Sequence, residues 1–523
     1  MKYRILSLVL FIAVCLVVSP LSAEERFEPN DLRNFITTEM NTWNVPGIAV
    51  LIVKNDKVIF SEGFGYRDVE KGLKVTSDTI FPIGSVSKSF TTLAVGMLAD
   101  EKKLDLDQPV RNYLPTFRMY GDYLTGHITP RDMLSHRSGL PRHDLVWYSA
   151  GLTSKETTER IRYLQLSYGF RERFQYNNLM YQASGCLVEK LTGKTWEEFV
   201  KERIFVPLGM ESSNFSIEEL QKYPDYAFPY SMDIDSVEKF PERLSDIDVR
   251  RIPFLRMTAN GPAGSINSNL KDMAKWVRFH LAEGKVDGKQ IIAGETLLQM
   301  HSPQMVIPFD SVFKFLLYDE TPTISYGLGW FILPYRGHYM VNHGGNVPGA
   351  TALVSFIPKE EIGVVVLTNM TGTSLTYAVT FGILDRLLGL KPIDWSQRFI
   401  TMERENWRKK NEAEAEKQHQ KNTHPSHPLV DYIGHYMHPA YGEIIIGKED
   451  GRLSVEFRER TVPIDHYQYD TFRISDEDPD HLLVYFDVRN VTFLLNKDAD
   501  VDRLTLPLQT GVDDIVFEKV DSK

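Results

Sequence analysis

Two periodicities divide the chain. Beyond Gly84, the residues Phe90, Leu93, Ala94, Met97 and Leu98 recur at the spacing of one helix face, closed by charged residues 100–103. Leu179, Ala183, Leu187 and Leu191 outline a second helix, stopped by Gly193. Short apolar runs predict strands instead at 47–53 and 57–60, with a turn at Asn55-Asp56, and again at 326–332, 339–343, 350–358 and 362–368. An apolar-striped helix over 374–388 follows them, and Pro130 opens another helical turn after Thr129. Strands at the front and back with helices between predict an α/β (α+β) fold: one antiparallel sheet, helices packed against it, and a helical lobe inserted between.

The pattern changes after residue 390. Residues 403–421 are mostly charged or amide side chains of both signs, followed by His424-Pro425-Ser426-His427-Pro428, which predicts a solvated helix and a stiff linker. From Leu429 the chain reads as all-β. A hairpin over 443–457 turns at Glu449-Asp450-Gly451, and further runs lie at 471–474, 482–488, 491–495, 504–506 and 515–517, the spacing of a small barrel. The expected organisation is a signal peptide over 1–23, a first domain over 24–390, a charged helical linker over 391–428 and a barrel over 429–523.

Composition narrows the function. Lys2 and Arg4 lead an apolar run over 5–18, and Leu21-Ser22-Ala23 is a small-residue exit, so the product is expected to be secreted or periplasmic. An uncleaved anchor is the alternative, although the run is short for a membrane span, and the mature form is expected off the membrane. The net charge of −11, more negative still without Lys2 and Arg4, argues against nucleic acid as a partner. Cys15 lies within the leader, which leaves Cys186 alone and excludes both an intramolecular disulfide and a thiolate-rich metal site. His136 and His143 flank a Ser-Gly-Leu-Pro turn but lack a carboxylate or thiolate cluster, so no metal and no cofactor is expected.

Candidate chemistry begins at Gly84-Ser85-Val86-Ser87-Lys88. The step from Ser85 to Lys88 is close to one helical turn and brings hydroxyl and amine onto one face. The same spacing occurs at Ser236/Lys239, Ser268/Lys271 and Ser311/Lys314, and a serine here could simply cap a buried helix. Two further features single out Ser85. Tyr176-Asn177-Asn178 falls in a loop just before the Leu179 helix, and His343-Gly344-Gly345 ends an expected strand, where two glycines let another backbone approach.

With these three motifs in this order, residues 27–390 resemble the penicillin-recognising serine hydrolases: class C β-lactamases, DD-peptidases, D-aminopeptidases and related esterases. Flanking phrases at 134–141, 261–265 and 326–330 strengthen the likeness. The resemblance implies Ser85 as nucleophile, Lys88 and Tyr176 sharing its proton, and the backbone N–H groups of Ser85 and Asn346 as the oxyanion hole. Asn178, His343, Gly344, Gly345 and Asn346 are then the substrate-binding positions. Many relatives carry Lys-Thr-Gly where this chain has His343, so weaker carboxylate recognition is expected, leaning towards D-aminopeptidase-like chemistry. The implied activity is acyl-enzyme hydrolysis of an amide or ester, with a small peptide containing a D-residue as substrate. The alternatives are a carboxylesterase, a weak β-lactamase or a non-catalytic penicillin-binding sensor. The C-terminal module resembles the lipocalin-like barrel of some relatives, suited to narrowing the cleft or to homo-oligomer assembly.

Overall fold

The computed structural model describes residues 28–520 except 233–238, 258–259, 310–311, 317–320, 322, 417–418, 459 and 479–480, so the expected leader lies outside the described residues. Helix α1 (Pro29–Thr42) precedes a hairpin of β1 (Gly47–Lys54) and β2 (Lys57–Asp68). Asn55 and Asp56 have φ of 50° and 60°, the left-handed pair that a tight two-residue hairpin turn requires. A short β3 (Leu73–Lys74) completes this edge. The far strands are β4 (Met305–Ile307), β5 (Ile324–Tyr326), β6 (Phe331–Tyr335), β7 (His338–Val347), β8 (Ala350–Ile357) and β9 (Ile362–Thr368). They join the hairpin in a nine-stranded antiparallel sheet ordered β4-β5-β6-β7-β8-β9-β1-β2-β3.

Between and after these strands run the longer helices α2 (Ser87–Asp100), α3 (Asn178–Thr192), α4 (Leu270–Leu281) and α5 (Leu375–Leu387). Both faces of the sheet are covered, which is why its central strands read as unbroken apolar runs. Ile48, Val50 and Ile52 of β1 face α1 and α5, whereas Ala49, Leu51 and Val53 face the other way. On that second face lie α2 and α4, with Phe90 stacked on Trp276 at 3.7 Å. Helix α3 belongs to the inserted lobe and ends on Gly193 at φ 72°. Pro130–Leu134 is a short helix begun by a Thr129/Asp132 capping box.

Three expectations are corrected. The run over 326–332 is two strands, because the chain turns at 327–330, where Gly329 has φ +78° and the Gly327 N–H bonds the Trp330 carbonyl. Strand β7 does not end at His343 but continues to Val347. The run over 482–488 holds a helix, Leu482–Tyr485, begun by the His481 side chain accepting from the Leu483 N–H. Its apolar residues are contiguous, and contiguity does not separate a buried helical turn from a strand.

Beyond α5, helix α6 (Trp395–Glu416) starts earlier than its charge pattern suggests. Trp395 and Phe399 are buried against Phe381, so its first turns pack on the sheet domain. The C-terminal strands form a closed eight-strand barrel: β10 (Gly434–His438), β11 (Gly442–Glu449), β12 (Arg452–Phe457), β13 (Arg460–Gln468), β14 (Thr471–Ile474), β15 (Asn490–Leu495), β16 (Val501–Leu506) and β17 (Ile515–Val520). Strands β10 and β13 escape the hydrophobic pattern because His435, His438, Asp465 and His466 dilute it. The barrel packs on the helical lobe through one apolar cluster that includes Leu145, Val146, Tyr441 and Phe517. No helix among the described residues is long and apolar enough to cross a membrane.

Candidate active site

Ser85 sits in a single 3-10 turn, Gly84–Val86, that feeds α2 rather than in the first turn of α2 itself. The turn is laid against β7. Strand β6 pairs only with His338 to Asn342, so the rest of β7 is bare on that side. Gly84 has φ +51°, and a Cβ there would stand 2.8 Å from the Asn346 nitrogen; a Cβ on Gly345 would collide with the Ile83 carbonyl. Gly84 and Gly345 thus admit the chain's own Ser85 turn against β7, which places the Ser85 and Asn346 backbones side by side. Gly344 lines the open cleft beyond them.

Helix α2 is buried on almost every face, so Lys88 cannot reach solvent and is fully buried. Its Nζ lies 3.0 Å from Ser85 Oγ, 2.7 Å from Asn178 Oδ1 and 2.8 Å from the Ala263 carbonyl oxygen. The last two can only accept. A neutral amine donates its two hydrogens to them and turns its lone pair on the Ser85 hydroxyl. Burial pushes the Lys88 pKa well below the usual lysine value; Arg142 adds to the effect and Asp144 opposes it more weakly. The balance favours the form of the amine that can take a proton.

Tyr176 precedes Asn177, whose side chain caps α3 by accepting from the Met180 N–H, and so projects from the helix end into the cleft. Its ring centroid is 4.9 Å from Lys88 Nζ, and its ring lines the same cleft as Ser85. Burial raises its pKa against the smaller pull of Ser85 and Arg142, which keeps the phenol protonated. Asn178 has both side-chain polar atoms engaged within the protein: its Oδ1 accepts from Lys88, and its Nδ2 donates to Asp144 Oδ1 at 2.9 Å. It positions the amine, a role invisible in the sequence because Asp144 and Lys88 are remote along the chain.

His343 also differs from the expectation. Its Nδ1 lies 2.6 Å from the Gly344 carbonyl, which only accepts, so that nitrogen carries the hydrogen and Nε2 accepts from the Tyr326 hydroxyl at 3.0 Å. Burial, reinforced by Lys88, lowers its pKa to about 3. The ring forms the cleft wall as a neutral group with both nitrogens engaged. Asn346 is exposed in the cleft, where its Oδ1 accepts from the Gly372 N–H at 3.0 Å.

The cleft has a volume of about 390 Å³. Ser85 and residues of β7 line it together with an aromatic wall of Phe313, Phe315, Phe331 and Tyr377. Met402 and Asn406 of α6 also line the cleft, so the segment expected to be a solvated linker contributes to the site. Arg142 enters from the loop after Pro141, with Nε on Asp144 Oδ2 at 2.6 Å. Sequence reasoning missed Arg142, Asp144 and the Ala263 carbonyl, although it singled out the phrases at 134–141 and 261–265 that lie next to or contain them.

Residues 32–381 match the Beta-lactamase family, and residues 418–519 match a domain of unknown function, DUF3471. The chain is similar to the Unguisins hydrolase ungD' of Aspergillus campestris, 28% identical over 462 residues, covering 83% of this chain and 80% of the relative. It is also similar to Protein flp of Staphylococcus aureus, 25% identical over 353 residues, covering 65% of this chain and 64% of the relative. Among solved structures, the octameric penicillin-binding protein homologue from Pyrococcus abyssi superposes with a TM-score of 0.60 at 24% identity, covering 94% of this chain and 100% of its own. The D-amino acid amidase from Ochrobactrum anthropi does so with a TM-score of 0.53 at 21% identity, covering 69% of this chain and 98% of its own. These two share the fold. The family match takes in the sheet and the Ser85, Lys88, Tyr176 and His343 positions, and the chain belongs to the β-lactamase family of serine hydrolases.

Proposed function

We propose that this protein is an exported hydrolase that cleaves amide or ester bonds of small peptides containing D-residues through an acyl-enzyme on Ser85. The observation that carries the reading is the three-way hold on Lys88, which leaves a lone pair for the Ser85 hydroxyl. Ser85 Oγ attacks the carbonyl carbon while Lys88 Nζ takes its proton. The carbonyl oxygen becomes an oxyanion facing the N–H groups of Ser85 and Asn346. The Tyr176 phenol protonates the leaving nitrogen or oxygen and regains a proton from the Lys88 ammonium. Water then repeats the sequence on the acyl carbon, releasing acid and restoring Ser85.

Two features support peptide hydrolysis over β-lactam turnover. His343 is neutral and committed on both nitrogens, so it offers no cation to a β-lactam carboxylate. The aromatic wall suits an apolar side chain. The name of a fold neighbour, a D-amino acid amidase, points the same way, and a curated relative is named as a hydrolase. Export rests on the leader pattern over 1–23, and a homo-oligomer is proposed by analogy with the octameric neighbour.

The test combines a covalent probe and a substrate panel. A fluorophosphonate should label wild-type protein on the peptide containing Ser85 and leave Ser85→Ala unlabelled. D- and L-aminoacyl amides, the matching esters and a chromogenic cephalosporin should then show turnover of D-configured amides ahead of the cephalosporin. A labelled Ser85→Ala protein overturns the mechanism; preference for the cephalosporin overturns the substrate class.

A further inference from the structure

In chain order the last residue to line the cleft is Asn406, well ahead of the barrel, yet the barrel reaches the reacting atoms by another route. We propose that the barrel braces the loop carrying Arg142 and Asp144, with Tyr441 and Gln509 acting as positioning residues for the Ser85–Lys88 pair.

The brace is built on His143. This residue holds φ +46°, a left-handed conformation that a non-glycine residue keeps only when its surroundings enforce it. Three contacts do so. Its backbone N–H donates to Gln509 Oε1 at 2.5 Å, its Nε2 lies 2.9 Å from the Gln165 carbonyl, and its Nδ1 lies 2.6 Å from the Tyr441 hydroxyl. The carbonyl can only accept, so Nε2 bears the hydrogen and Tyr441 donates to Nδ1. Burial lowers the His143 pKa to about 4, which preserves that arrangement around neutrality. Arg458 adds a second anchor, donating to the Leu145 carbonyl at 3.3 Å and to the Tyr441 carbonyl at 2.7 Å.

The residues on either side of His143 are the ones that face the amine. Arg142 lines the cleft and bonds Asp144. Asp144 also accepts from Trp147 Nε1 at 3.1 Å and from Asn178 Nδ2 at 2.9 Å, and Asn178 Oδ1 receives Lys88. Hydrogen bonds and one short loop thus connect barrel side chains to Ser85. A barrel that served only to cover apolar surface would not need its polar side chains on a strained residue between the two charges that face Lys88.

The inference rests on Ser85 being the nucleophile, and the experiment separates the two. The readout is the rate at which a fluorophosphonate labels Ser85 in the full chain, measured across pH. Tyr441→Phe and Gln509→Leu should each slow labelling about tenfold, the effect of a small misplacement of reacting groups. They should also displace the acid limb of the pH profile, because Arg142 and Asp144 face Lys88 together with His136, His343, Tyr176 and Tyr181. Gln509→Glu keeps the acceptor and should retain most of the rate. Phe493→Leu, a barrel-core change beside Tyr432 and Phe472, should lower the melting temperature and leave labelling unchanged. Labelling that is unaltered in Tyr441→Phe, or slowed as much by Phe493→Leu at equal loss of melting temperature, overturns the brace. Absence of labelling in the wild type overturns the Ser85 assignment instead.

Discussion

The sheet of the first domain and the C-terminal barrel are both antiparallel, yet they end differently. The barrel closes, with β10 pairing to β17, so every strand has two neighbours. The sheet leaves the second half of β7 unpaired towards β6, and the turn bearing Ser85 occupies that bare stretch beside a buried amine. Closure uses up backbone groups and yields stability, whereas an incomplete pairing leaves N–H groups and space for a reacting carbonyl.

Substitutions should therefore separate rate from stability. Ser85→Ala should lose all fluorophosphonate adduct and about ten-thousandfold or more in turnover, with an unchanged melting temperature. Lys88→Met should lose about a thousandfold in turnover and yet gain roughly 1 kcal/mol of stability, as relief of an unfavourable functional group does. Burial lowers the Lys88 pKa, so the unfolded chain binds more protons than the folded chain between the two pKa values. Lys88 thus destabilises the fold there, and the effect fades as pH rises towards the unfolded lysine value of about 10.4. A Lys88→Met protein that is both inactive and less stable would contradict this.

Gly345→Ala should cost about a hundredfold in labelling rate, since the added Cβ displaces the Ser85 turn through Ile83. Phe493→Ala, in the closed barrel, should lower unfolding free energy by about 3–5 kcal/mol in denaturant titrations while Ser85 still labels. The smallest effect is expected at Arg142. Arg142 is a cation lining the cleft, so Arg142→Gln should raise KM for free-acid peptides about tenfold over their amides. Equal changes for both would remove Arg142 from substrate recognition.

Local spacing is legible in the sequence and remote pairing is not. The Ser85–Lys88 juxtaposition is one helical turn and can be read from residue numbers, and so can the Asn55-Asp56 turn and the Gly193 stop. Motifs identify Asn178 and His343 but not their partners. Lys88, Asp144 and Tyr326 reach them through tertiary packing, which no local period records. The barrel is visible as evenly spaced runs, whereas its contact with His143 depends on single side chains, Tyr441 and Gln509, with no pattern around them. Helix α6 reads as a solvated linker because its charges outnumber the few residues, Trp395 and Phe399, that decide its packing.

Catalysis in this account depends on Lys88 being an unprotonated amine aimed at Ser85. Its protonation can be followed directly from the ¹³Cε resonance in lysine-labelled protein, assigned by comparison with Lys88→Met. The amine form should dominate at pH values well below the ordinary lysine pKa of about 10.4. A resonance that stays in the ammonium position up to about pH 10 would contradict the account.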